Sequence, residues 1–164
     1  MHASADLEQL YGATYRRLVV QLFAICGDLA DAEDAVQEAF VTAVRKQHGL
    51  AGVSNPEGWV RTVALNRLRS VWRHRAIVKK YQADVPGPQT EPGVTSDHVA
   101  IVTALARLDP DQRQVVVLHH LADLATAEIA AELDIPEGTV KSRLSRGRDR
   151  LAELLDEREE PRHA

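Results

Sequence analysis

Cysteine occurs once, at position 26, in a chain of 164 residues. A single thiol can form neither an internal disulfide nor a thiolate metal cluster, which points to a reducing compartment. Aromatic residues make up only 4%, so the interior has to be built from Leu, Val and Ala, a mixture that favours helices. There is no run of eighteen apolar residues, and the first twenty-odd positions carry Asp6, Glu8, Arg16 and Arg17 without a signal-peptide pattern. Neither membrane insertion nor export is expected, and the cytoplasm is the expected location.

An excess of positive charge is also lacking. The net charge is −4, whereas duplex DNA is gripped by Lys and Arg that neutralise phosphates. The distribution matters more than the sum. Arg61, Arg67, Arg69, Arg73, Arg75, Lys79 and Lys80 form a stretch with no acidic residue, and Lys141, Arg143, Arg146, Arg148 and Arg150 enclose only Asp149.

Apolar residues at helical spacing, Leu7, Leu10, Tyr11, Leu18, Leu22 and Ile25, predict a first helix over Asp6–Cys26 that ends at Gly27. Asp28 or Asp31 can cap a second helix, with Ala32, Ala35, Val36, Ala39, Phe40, Ala43 and Val44 on one face and Asp31, Asp34 and Glu38 on another. After a loop at His48–Ser54, the run Ser54-Asn55-Pro56-Glu57 offers a cap, a first-turn proline and a capping-box Glu for a third helix reaching about Tyr81. Trp59 and Trp72 fall among its apolar positions and read as core or partly buried supports.

Residues 83–97, ADVPGPQTEPGVTSD, crowd prolines and glycines with no apolar periodicity, as a flexible linker does. The predicted fold is therefore all-α: two small helical domains, 1–82 and 98–158, joined by linker 83–97 and followed by a disordered tail, 159–164. Beyond the linker come helices at His98–Leu108 and Pro110–Leu121. The C-terminal domain then shows a short helix, Thr126–Leu133, a break at Asp134-Ile135-Pro136, and a basic helix from Glu137. In that helix Val140, Leu144, Leu151 and Leu154 face inward and Lys141, Ser142, Ser145, Arg146 and Arg148 face outward. This is the helix-turn-helix plan, in which the second helix offers cationic and hydroxyl side chains to the major groove.

The segment AEIAAELDIPEGTVKSRLSRGRDRL closely resembles region 4 of bacterial RNA polymerase sigma factors of the extracytoplasmic-function group, and less closely the DNA-binding domains of LuxR-type regulators. Leu10-Tyr11, DAEDAVQEAF at 31–40 and WVRTVALNR at 59–67 resemble region 2 of the same sigma group. A LuxR-type regulator would instead carry a receiver or ligand-binding domain there. One departure is the entry to the helix pair. Ala122-Asp123-Leu124-Ala125-Thr126 stands where the family has a Gly-Leu-Ser/Thr turn.

The resemblance implies a non-enzymatic, cofactor-free subunit that directs core RNA polymerase to promoters. Asp31, Asp34, Gln37 and Glu38 would dock on the clamp helices of the largest polymerase subunit, and the flap region would be a further contact. Arg61, Asn66, Arg67, Arg69 and Arg73, with the His48–Ser54 loop, would meet minus-10 DNA. Lys141, Ser142, Ser145 and Arg146 would meet minus-35 bases or phosphates, while Arg143 and Arg148 suit phosphate. An anti-sigma protein is the expected inhibitor. The competing readings are a stand-alone LuxR-like regulator and an enzyme built on His119-His120. Adjacent helical residues diverge by about 100°, so that histidine pair does not converge on one metal. Cys26 reads as a small hydrophobe rather than a nucleophile.

Overall fold

A computed structural model describes residues 2–46, 48–79 and 96–159. The expected linker up to residue 95 and the expected tail beyond residue 159 lie outside the described residues. The chain divides into two compact units, Met1–Gln89 and Thr90–Ala164. Among the described residues there are only helices.

The first unit is a three-helix assembly of α1 (His2–Cys26), α2 (Leu29–Arg45) and α3 (Pro56–Lys79). Leu18, Leu22 and Ile25 of α1 are buried, as the periodicity requires. The helix stops at Gly27, whose φ of 73° is the left-handed conformation that ends helices at little cost for glycine. Asp28 then caps α2, its carboxylate accepting from the Asp31 backbone N–H at 3.0 Å. Ala32, Ala35, Ala39 and Ala43 give α2 a thin buried face, which lets α1 and α3 approach it closely around Val36 and Phe40. Val44, expected on that face, is 67% exposed. Ala43 takes the inward position, and the next residue turns about 100° away from it.

The cap of α3 also differs from expectation by one residue. Asn55, not Ser54, caps the helix, accepting from the Gly58 N–H at 3.0 Å. That register moves Glu57 out of the capping-box position and frees its carboxylate for other partners.

The second unit comprises α4 (Ser96–Ala106), α5 (Pro110–His120), α6 (Thr126–Leu133) and α7 (Glu137–Glu159). Ser96 and Asp97, assigned by composition to the linker, already belong to α4. Asp109 caps α5 through the Asp111 N–H at 3.0 Å, with Pro110 opening the helix. Ala104, Leu105, Leu108, Val115–Leu118, Ile129, Leu133, Val140, Leu144 and Leu154 form the core. Gly147 lies in the middle of α7 because a Cβ there would sit 2.7 Å from Val116 Cγ2. The absent side chain sets how closely α7 crosses α5.

Candidate nucleic-acid interface

In the second unit, α6 and α7 are joined by three residues. Asp134 takes φ 53°, tolerated by Asp better than by most side chains, and the Ile135 N–H returns to the Ala130 carbonyl at 3.1 Å. Pro136 then starts the new direction, accepting from the Thr139 and Val140 N–H groups. The entry to α6 uses Asp123 at φ 56°, so Asp fills the left-handed position that a glycine would fill without strain. Ala125 has no acceptor side chain. Only the reciprocal half of a capping box exists there, with Glu128 accepting from the Ala125 N–H at 2.7 Å.

With Val140, Leu144 and Gly147 turned into the core, α7 leaves Lys141, Ser142, Ser145, Arg146 and Arg148 exposed, with Arg148 at the edge nearest α5. Arg143 lies at the flank, 3.6 Å from Asp111 of α5. Asp149, which the sequence reading did not single out, stands among these side chains and lines a cleft with His119, Thr126, Lys141, Ser145 and Arg148. Lys141 pairs with Glu137 at 3.3 Å. Glu137 also accepts from the Thr126 hydroxyl at 2.8 Å, which joins the starts of α6 and α7. These two partners, Thr126 foremost, hold its carboxyl below the ordinary value.

In the first unit the basic helix divides. Asn66, Arg67 and Arg73 are exposed and Arg69 half-buried, with Arg69 reaching Asn66 Oδ1 at 3.4 Å. Arg61 is a correction: at 4% exposure it is part of the core and presents no guanidinium to a phosphate. Its Nε donates to the buried Gln21 at 3.0 Å, and its Nη2 to Glu57 at 3.4 Å. Glu57 is held from outside by a two-bond contact with Arg17, at 2.8 and 2.7 Å. That bond, opposed in part by burial, keeps the Glu57 carboxyl below its usual range.

On α2, Asp34, Gln37 and Glu38 are exposed on one side. Asp31 is not free with them. Both its oxygens accept from Arg75 of α3, so it clasps two helices and keeps only 14% of its side chain exposed. Gln37 donates to the Tyr15 hydroxyl at 3.3 Å, beside a stack of Tyr15 on Tyr11. Sequence patterning missed Arg75 and Tyr15 because both contacts span helices distant in sequence.

The loop after α2 turns at Gly49 and Gly52, at φ 55° and 81°. With Leu7, Leu10 and Ala13 of α1, its Leu50 and Ala51 line a cleft of about 640 Å³. Trp59 and Trp72 are half-buried, and Lys46 Nζ lies 4.7 Å from the Trp59 ring centre. The Cys26 thiol is half-buried and donates to the Asp28 carbonyl; burial pushes its pKa up to about 11, so it stays protonated near neutrality. Among the described residues no cluster of three or more His, Cys, Asp or Glu is arranged to hold a metal. No helix among them is long and apolar enough to cross a membrane.

Two families match the chain: sigma-70 region 2 over residues 10–77 and sigma-70 region 4 over residues 98–151. The chain is 33% identical over 134 residues to the RNA polymerase sigma-E factor of Streptomyces antibioticus, covering 80% of this chain and 74% of that protein. It is 35% identical over 127 residues to the ECF RNA polymerase sigma factor SigL of Mycobacterium tuberculosis, covering 73% and 72% respectively. Among solved structures it is similar to the sigma factor RpoE of Bartonella quintana, in complex with the anti-sigma factor NepR. The TM-score is 0.77 at 28% identity, over 92% of this chain and 97% of that one.

Proposed function

The chain belongs to the sigma-70 family of RNA polymerase sigma factors, in its extracytoplasmic-function group, and directs promoter-specific initiation by core polymerase; from that premise we propose how the work is divided among its residues. Residues 1–82 serve polymerase docking and the minus-10 element, and residues 98–158 serve the minus-35 element. Lys141, Ser142, Ser145 and Arg146 read minus-35 bases or their phosphates, and Arg143 and Arg148 hold phosphate. The observation that carries this is α7 itself, whose Val140, Leu144, Gly147 and Leu154 are buried while Lys141, Ser142, Ser145, Arg146 and Arg148 are exposed. Arg and Lys pair with guanine, and Ser with base or backbone, which suits a helix lying in the major groove.

In the first unit, Asn66, Arg67, Arg69 and Arg73 meet minus-10 DNA, with the 48–54 loop and its cleft beside α1 as the place for an unpaired base. Asp34, Gln37 and Glu38 meet the polymerase clamp helices, and Asp31 serves by holding α3 against α2. A protein inhibitor of the kind bound to the Bartonella quintana factor acts by covering these surfaces. The chain works in the cytoplasm, without a reaction of its own. Footprinting of holoenzyme carrying Arg146→Ala tests the division. Protection of the minus-35 element is expected to weaken roughly tenfold or more in concentration, the scale of a lost bidentate base contact. Unchanged protection removes Arg146 from the reading set.

A further inference from the structure

One exposed cation of α7 is oriented from outside its own helix. Arg148 Nε donates to His120 Nε2 at 3.0 Å, a bond from α7 to the last turn of α5. We propose that His120 is a positioning residue for minus-35 recognition: its neutral imidazole anchors Arg148 by Nε and leaves the two Nη groups of the guanidinium to face DNA. The inference rests on the reading of α7 as the DNA-facing helix.

The anchor is itself built. His119 bonds through Nδ1 to the Leu124 carbonyl at 2.8 Å, which fixes its ring on the turn before α6. The His120 ring stands edge-on to it, with ring centres 4.9 Å apart. The line from turn to His119, to His120, to Arg148 delivers the guanidinium to the cleft that Thr126, Lys141, Ser145 and Asp149 also line. An arginine side chain that is already held loses less freedom when it meets its target, so its contact contributes more to affinity. With Nε occupied, the remaining Nη edge still offers two parallel donors, the arrangement that matches a phosphate or a guanine edge.

The bond exists for only one protonation state. Nε2 must carry a lone pair to accept from arginine, and an imidazolium carries N–H on both nitrogens. The groups that act on His120 are Arg148 of α7 and His119 of its own helix; Lys141 and Asp149 line the neighbouring cleft with His119 and Arg148, and α6 brings the uncharged Thr126 to it. Burial first, then Arg148 and His119, hold the His120 pKa below its ordinary value. Acidification therefore breaks the anchor and at the same time adds a cation near DNA. Sequence-independent attraction rises, while the held phosphate contact that fixes the register of α7 on the intact element is lost, so discrimination falls.

The test uses holoenzyme and a labelled duplex of a promoter mapped from transcripts that rise when the chain is overproduced. The same duplex with its minus-35 element scrambled is the control. Wild type, His120→Gln, His120→Ala, Arg148→Ala and Arg146→Ala are compared between about pH 8 and about pH 5.5, the range in which histidine titrates. Arg148→Ala should lose roughly tenfold in affinity for the intact promoter. His120→Ala should lose a smaller but clear share, with the thermal midpoint recorded to exclude unfolding. His120→Gln, which keeps an acceptor, should restore binding. The ratio of intact to scrambled affinity should fall on acidification in wild type and stay level in His120→Gln. Weakening by Arg146→Ala and Arg148→Ala without weakening by His120→Ala overturns the positioning role and leaves the DNA reading standing. No effect from either arginine variant overturns the reading of α7 itself, and with it this inference.

Discussion

On α3, Arg61 is turned into the core against Gln21 and Glu57, whereas Arg67 and Arg73 stand in solvent on the same helix. Composition sees one basic run; burial separates a structural arginine from those free to meet phosphate. Arg61→Ala is expected to lower the stability of the first unit by roughly 1–3 kcal/mol, because it leaves Gln21 with a buried acceptor unsatisfied. Thermal unfolding checks this, and an unchanged midpoint would refute it. The acid limb has a defined sign. Glu57 has a folded pKa depressed chiefly by Arg17, so its contribution is complete above the ordinary carboxylate pKa and fades as pH falls through the lower folded value. Glu57→Gln should flatten that part of a denaturant-midpoint profile. At this scale the sequence was only partly legible. The α7 cations followed from helical periodicity, whereas the inward turn of Arg61 and the Asp31–Arg75 clasp depend on partners about forty residues away.

Elements were easier to read than contacts, and the reason is local chemistry. Gly27, Asp28, Pro56, Asp109, Asp134 and Pro136 act within one or two turns of where they stand, so helix ends were visible in the chain. The misses were also local in origin. Asn55 competes with Ser54 for the cap, and Val44 competes with Ala43 for the inward face. Gly147 carried no such signal, since its role is set by Val116 across the helix pair. Gly147→Ala adds helix propensity worth about 1 kcal/mol but places a methyl against a stiff β-branched side chain. The overpacking cost of roughly 1–3 kcal/mol should win. A lower melting temperature of the second unit is expected; a higher one would show that Val116 can move aside. On α2, reversing Asp34 and Glu38 together to Lys should slow association with core polymerase more than it speeds dissociation, as expected for exposed charges that steer. Surface-immobilised core polymerase measures both rates, and an unchanged association rate would count against α2 docking.

For the molecule as a whole, the sigma-70 assignment covers two units in a chain of net charge −4, and the acidic excess lies in the second, where Asp and Glu outnumber Lys and Arg by 15 to 9, against 9 to 11 in the first. That balance fits a subunit whose grip on promoters comes through polymerase rather than from its own phosphate contacts. The plan was legible because two specific runs, DAEDAVQEAF and PEGTVKSRLSRGR, fall in separate units. Promoter identity was not, because bases are chosen by a few exposed side chains whose partners lie outside the chain. The most direct measurement is transcription in vitro on fragmented genomic DNA by core polymerase with and without this chain, followed by mapping of transcript 5′ ends. Discrete new start sites sharing upstream elements, lost with Arg146→Ala and with the α2 charge reversal, are the predicted result. No new start sites, together with protection of a DNA site by the chain alone, would contradict the account and mark a stand-alone regulator.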